Sequence, residues 1–123
     1  MSDNSITYLT DAVLITCIVA HGRGDEAIKV AREAGVGGAM VYHARGSGVR
    51  ERLGLLGIAV EAEKDVVTML AATDQRDLVM HNLYTQLGLD RPGAGVIYAM
   101  PLDKMATYIP QDMRQRLQVD TPK

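Results

Sequence analysis

Gly35-Val36-Gly37-Gly38-Ala39-Met40-Val41-Tyr42 and Gly93-Ala94-Gly95-Val96-Ile97-Tyr98 are two versions of one pattern, a glycine turn running into an apolar stretch that reaches a tyrosine. Glycine allows a tight change of direction, and the apolar stretch reads as a strand. What precedes each copy is also alike. Before the first, Ala27, Val30, Ala31 and Ala34 follow the i, i+3, i+4, i+7 spacing of one helix face. Asp25 can cap that helix and Gly35 can end it. Before the second, Leu78, Val79, Leu83 and Leu87 form a comparable set, with Thr73 or Asp74 as cap and Gly88 as stop. Each helix in turn follows an apolar run, residues 13–20 and residues 65–72.

The order is therefore β-α-β, a long connection over about residues 45–63, then β-α-β. This predicts the α+β class: a ferredoxin-like βαββαβ fold with one antiparallel sheet and both helices on one face. The strands are apolar on both sides, so the other face needs a cover. Association between subunits would supply it. Residues 1–11 read as a polar N-terminal arm, 12–110 as the domain, and 111–123 as a polar C-terminal tail.

Composition sets the outer limits. The chain has 123 residues, which fits one domain. It has no Trp and no Phe, so Val, Ile, Leu, Met and Ala must build the core. A formal net charge of -2 gives no reason to expect bulk attachment to nucleic acid. Cys17, the one cysteine, lies inside an apolar run and reads as a buried thiol. An intramolecular disulfide is impossible, which suits a reducing compartment. The apolar runs fall short of the ~20 residues of a membrane helix. With no signal-like N-terminus either, the reading is a soluble, cytoplasmic protein, at a membrane only through a target.

Three segments could hold an anion: His21-Gly22-Arg23-Gly24, Arg45-Gly46-Ser47-Gly48 and Arg91-Pro92-Gly93-Ala94-Gly95. Glycines let backbone N–H groups approach phosphate oxygens, and arginine adds charge-assisted bonds. None matches a Walker A loop or a dinucleotide fingerprint. The connection over residues 45–63 is long for a compact domain, and such loops usually carry function or remain disordered. His21, His43 and His81 fall at a turn, a strand end and a helix, with no metal-ligand spacing. No metal site is assigned, and no nucleophile or paired-carboxylate pattern supports catalysis. The reading is a non-enzyme without a catalytic cofactor.

The run Ile28-Lys29-Val30-Ala31-Arg32-Glu33-Ala34-Gly35-Val36-Gly37-Gly38-Ala39-Met40-Val41, followed by Arg45-Gly46-Ser47-Gly48, resembles the first half of nitrogen-regulatory P-II proteins. Residues 64–77 and Gly93-Ala94-Gly95-Val96-Ile97 resemble the second half, and the likeness spans about residues 13–104 in order. The resemblance implies a ferredoxin-like homotrimer that binds an adenine nucleotide (ADP, ATP or AMP) in clefts between subunits. It implies regulation of an enzyme, transporter or channel through the loop between strands 2 and 3, in nitrogen metabolism or transport. By position, Gly46 and Gly48 match the loop base, with Arg45 and Ser47 beside them. Gly93, Ala94 and Gly95 match the phosphate-wrapping turn. Lys64 matches a basic residue at the far base, and Met40 and Leu70 match positions that flank adenine.

The chain departs from that family at Val96, where a lysine is usual, and at Thr107 and Ile109, where arginines are usual. Arg50 stands in place of a glutamine, and the loop is shorter and has no tyrosine. These departures resemble a divergent, short-loop branch. Arg45, Arg50, Arg91 and Lys104 are the candidates to replace the lost positive charge. The alternative reading is a ferredoxin-like trimer of the divalent-cation-tolerance type, which binds metal.

Overall fold

The computed structural model describes residues 6–46, 62–110 and 119–120. A short strand β1 (Tyr8–Leu9) is followed by β2 (Ala12–Ala20), α1 (Gly24–Glu33), β3 (Ala39–Gly46) and β4 (Ala62–Ala72). A 3-10 turn (Thr73–Gln75) leads into α2 (Arg76–Gln86), then β5 (Gly95–Pro101) and β6 (Val119–Asp120). The four long strands form one sheet in the order β3-β4-β2-β5, with every neighbouring pair antiparallel. Each β-α-β half thus straddles a strand of the other half. This is the expected α+β ferredoxin-like arrangement. β1 and β6 form a separate two-stranded ladder, so part of the arm and part of the tail pair with each other.

The core lies between the sheet and the helices. Period-2 alternation places Val13, Ile15, Cys17 and Val19 of β2 on the helix side, all at most 1% exposed. Val67, Met69 and Ala71 of β4 join them, covered by Ala27, Val30 and Ala31 of α1 and by Val79 and Leu83 of α2. Burying each large aliphatic side chain here contributes roughly 1.5–3 kcal/mol.

Local details differ from expectation at three points. Leu78 fits the helical spacing, yet it is exposed, and Val79, Leu83 and Leu87 carry the α2 stripe inward with Met80 packed beside them. α2 takes no side-chain cap from Thr73 or Asp74. The 3-10 turn comes first, and the Gln75 side chain accepts a bond from the Ala72 N–H. α1 begins at Gly24 rather than after an Asp25 cap, and the carboxylate that serves its N-terminus comes from another strand.

The opposite sheet face is open. Met40 and Tyr42 of β3, Leu70 of β4, and Val96, Tyr98 and Met100 of β5 are all exposed there. No helix among the described residues is long and apolar enough to cross a membrane.

Candidate functional site

The chemistry of the chain gathers at one end of the sheet. His43, Asp65, Val19 and Gly95 stand in one row across all four strands, paired in register. Arg45 and Gly46 extend β3 just beyond this row, opposite Glu63 and Ala62. The turn that opens α1, Gly22 to Gly24, sits at the same end and bonds to Asp65.

Asp65 organises this end. It lies on the core face of β4, in the alternation of Val67, Met69 and Ala71, and only 3% of its surface is exposed. Its Oδ2 accepts the backbone N–H groups of Gly22 at 3.0 Å and Gly24 at 2.9 Å. The Gly24 N–H is an orphan donor at the helix N-terminus and the Gly22 N–H belongs to the turn before it, so a carboxylate from outside the helix does the work of a cap. Gly24 makes the approach possible, because a Cβ there would lie 2.5 Å from Val41 Cγ2 and 2.8 Å from Asp65 Oδ2. Gly22 supports the turn differently, with a φ of 97° that other residues seldom adopt.

The other carboxylate oxygen faces two histidines. Asp65 Oδ1 is 3.1 Å from His21 Nδ1 and 2.8 Å from His43 Nδ1. An ionised carboxylate can only accept, so both imidazoles carry hydrogen on Nδ1 in this arrangement. The rings meet edge to face, with centroids 5.0 Å apart. Burial pushes the Asp65 carboxyl up, but the Gly24 N–H, His43, the Gly22 N–H and His21 together outweigh it and hold the group down at about 2. Asp65 is therefore a fixed anion at neutral pH.

Arg23 ties the turn to the second helix. Its Nη1 donates to the Leu87 carbonyl at 3.0 Å, at the C-terminal end of α2, and its Nε donates to Glu26 at 3.1 Å. A cation at that helix end satisfies a free carbonyl and opposes the helix dipole.

The residues expected to bind nucleotide are spread over both sheet edges. Arg45 is exposed, 3.7 Å from Glu63 across the β3–β4 ladder, and Gly46 ends β3 on one edge. Lys64 is half-buried on β4, between Ala44 and Ala20 in register. Gly93, Ala94 and Gly95 enter β5 on the other edge, with Arg91 exposed beside them and its Nε on the Gly88 carbonyl. Gly93 has a φ of 75° and Gly95 a φ of 145°. At Gly95 a Cβ would also strike the Ile18 carbonyl, so glycine has a structural reason there whatever binds. Met40 and Leu70 lie together on the open sheet face. Lys104 sits elsewhere, its Nζ 4.8 Å above the Tyr8 ring. Ser47, Gly48 and Arg50, with most of the long connection, lie outside the described residues.

Three strand spacings separate the β3 edge from the β5 edge, roughly 14 Å. Within one chain the two glycine segments therefore do not form one cradle. The histidine–carboxylate cluster was not legible from spacing, because its members are far apart in sequence. Two signals did exist: Asp65 is an acid on the buried phase of an apolar strand, and His43 shares the inward phase of Ala39 and Val41.

Similar architectures are known. The chain superposes on PII of Arabidopsis thaliana, solved with citrate bound, at a TM-score of 0.60 and 18% identity, over 76% of this chain and 79% of that one. The fold is the PII fold. GlnK of Bacillus subtilis matches at a TM-score of 0.59 and 13% identity, over 75% of this chain and 85% of that one. A DUF3240 family protein from Shewanella baltica OS155 matches at a TM-score of 0.63 and 12% identity, over 82% of this chain and all of that one. No protein-family model and no curated protein sequence matches. At these identities the shared property is the PII fold itself.

Proposed function

We propose that this chain is a PII-like signalling protein. It works as a homotrimer, holds an adenine nucleotide between subunits, and regulates a target enzyme, transporter or channel through the connection between β3 and β4. The supporting observation is geometric. The two glycine segments lie on opposite edges of the sheet but at the same end of it. One copy's β3 edge can therefore meet the next copy's β5 edge, which would place Arg45 and Gly46 beside Arg91, Gly93 and Gly95. The open apolar face, with Met40, Leu70 and Tyr98, supplies a surface for that association. The nucleotide would act by linkage, shifting the connecting segment by as much as it binds one arrangement more tightly than the other. Nitrogen metabolism or transport is the physiological setting this reading favours.

Light scattering and calorimetry together test it. The expected result is a particle of three 13.3 kDa chains. It should bind at least one of ATP, ADP, AMP or cyclic AMP more tightly than about 1 mM. Arg45→Ala and Arg91→Ala should each weaken that binding with no change in particle mass. A folded trimer indifferent to all four nucleotides would leave the signalling role without its ligand.

A further inference from the structure

We propose that His21 Nδ1, His43 Nδ1 and Asp65 Oδ1 form a binding site for a divalent transition-metal cation of the kind imidazole prefers, such as Zn2+, Ni2+ or Co2+. The three groups arrive from separate places: the turn after β2, the edge strand β3 and the central strand β4. Their candidate ligand atoms all lie within 4.8 Å of one another. The two nitrogen-to-oxygen separations are 3.1 and 2.8 Å. Ligands placed about 2.0–2.2 Å from a common ion stand roughly 2.8–3.5 Å apart at octahedral to tetrahedral angles. The two nitrogen-to-oxygen separations thus already fall in the range a bound ion needs, and the set as a whole spans at most 4.8 Å.

The carboxylate is prepared for the role. Oδ2 is engaged by the Gly22 and Gly24 N–H groups, which fixes the plane of the group and leaves Oδ1 directed at the histidines. Such outer bonds orient ligands in metal sites generally. No lysine or arginine pairs with Asp65 among the described residues, and its side-chain hydrogen-bond partners there are the two histidines. A metal ion would add a full positive charge beside this buried carboxylate, in place of two hydrogen bonds from imidazole. The imidazoles are accessible, with side chains 51% and 64% exposed, so an ion can reach the site and keep water on its remaining positions. On binding, the ion displaces the hydrogen from each Nδ1. Each imidazole stays neutral through its Nε2–H tautomer, and the Asp65 carboxylate is unchanged.

Nitrogen ligands favour Zn2+, Ni2+ and Co2+ over Mg2+ and Ca2+. The site stands independently of the nucleotide reading, since none of its three residues belongs to that set. Protein stripped with a chelator and then titrated with ZnCl2 by calorimetry should take up one ion per chain, and MgCl2 should give no signal. CoCl2 should produce the visible absorption of a nitrogen-ligated ion. His21→Gln and His43→Gln should each weaken Zn2+ binding at least about 10-fold while circular dichroism stays unchanged. Asp65→Asn probes the third ligand but also removes the anchor of α1, so the two histidine variants decide. Absence of Zn2+ binding in the folded wild type would overturn the assignment. Binding that survives both histidine substitutions, or Mg2+ bound as tightly as Zn2+, would overturn it too.

Discussion

Cys17 sits fully buried in the centre of β2, and burial, only partly offset by Arg23, pushes its thiol up to about 11. Thiolate is the reactive form, so the native protein should resist a thiol reagent at pH 8 and react fully once unfolded. The sign of the linkage follows from the same shift. The folded state keeps the proton that the unfolded chain releases near pH 9, so this contribution is complete below pH 9 and is lost as pH rises toward 11. Denaturant melts of wild type and Cys17→Ala should therefore converge with rising pH, by up to about 1.4 kcal/mol per pH unit in that window. Gly24 makes a different kind of prediction. Gly24→Ala places a methyl group against Val41 and the Asp65 carboxylate, where neither can yield without loosening the anchor of α1. A loss of about 1–3 kcal/mol is expected, read as a lower unfolding midpoint. The burial of Cys17 was readable from its apolar neighbours. The need for glycine at position 24 was not, because it depends on a strand some forty residues away.

At the scale of elements, alternation and helical spacing carried most of the fold. Residues 13–20 are apolar at nearly every position, which suits a central strand, and β2 is one of the two inner strands. The α2 stripe shows where such reading stops. Leu78 and Val79 are adjacent and both apolar, so spacing alone admits either one to the buried face. The sheet selects Val79, at 0% exposure, and leaves Leu78 at 56%. Leu83→Ala should accordingly cost about 2–5 kcal/mol in chemical denaturation, whereas Leu78→Ala should stay within about 0.5 kcal/mol. If Leu78→Ala were the costlier change, an assembly contact at that position would have to be invoked. The start of α1 was misplaced for a related reason. A helix capped by its own Asp25 is a local pattern, but this helix is anchored from β4, and local patterns carry no record of that.

For the whole molecule, the open sheet face is the dominant feature. Six large apolar side chains stand exposed on it, from Met40 and Tyr42 at one edge to Val96, Tyr98 and Met100 at the other, with Leu70 between. If assembly covers this face as proposed, a charge on it is costly. Tyr98→Glu should therefore reduce the particle mass in light scattering while leaving the circular dichroism of the chain largely intact. The need for a cover was legible in the sequence, because the strands are apolar on both phases. The gathering of His43, Asp65 and Gly95 at one end was not, since it depends on the register of three ladders.

The strand order carries one more consequence, for mixtures. β3 and β5 are opposite edges, so the proposed cleft between neighbours would draw one half of its lining from each of two polypeptides. Chains carrying Arg45→Ala and chains carrying Arg91→Ala, each poor binders alone, should recover some fully furnished clefts when unfolded and refolded together. Neighbours of opposite genotype then juxtapose one undamaged edge from each. Refolding either variant by itself can never do this, so complementation in trans would distinguish a joint cleft from two unrelated turns.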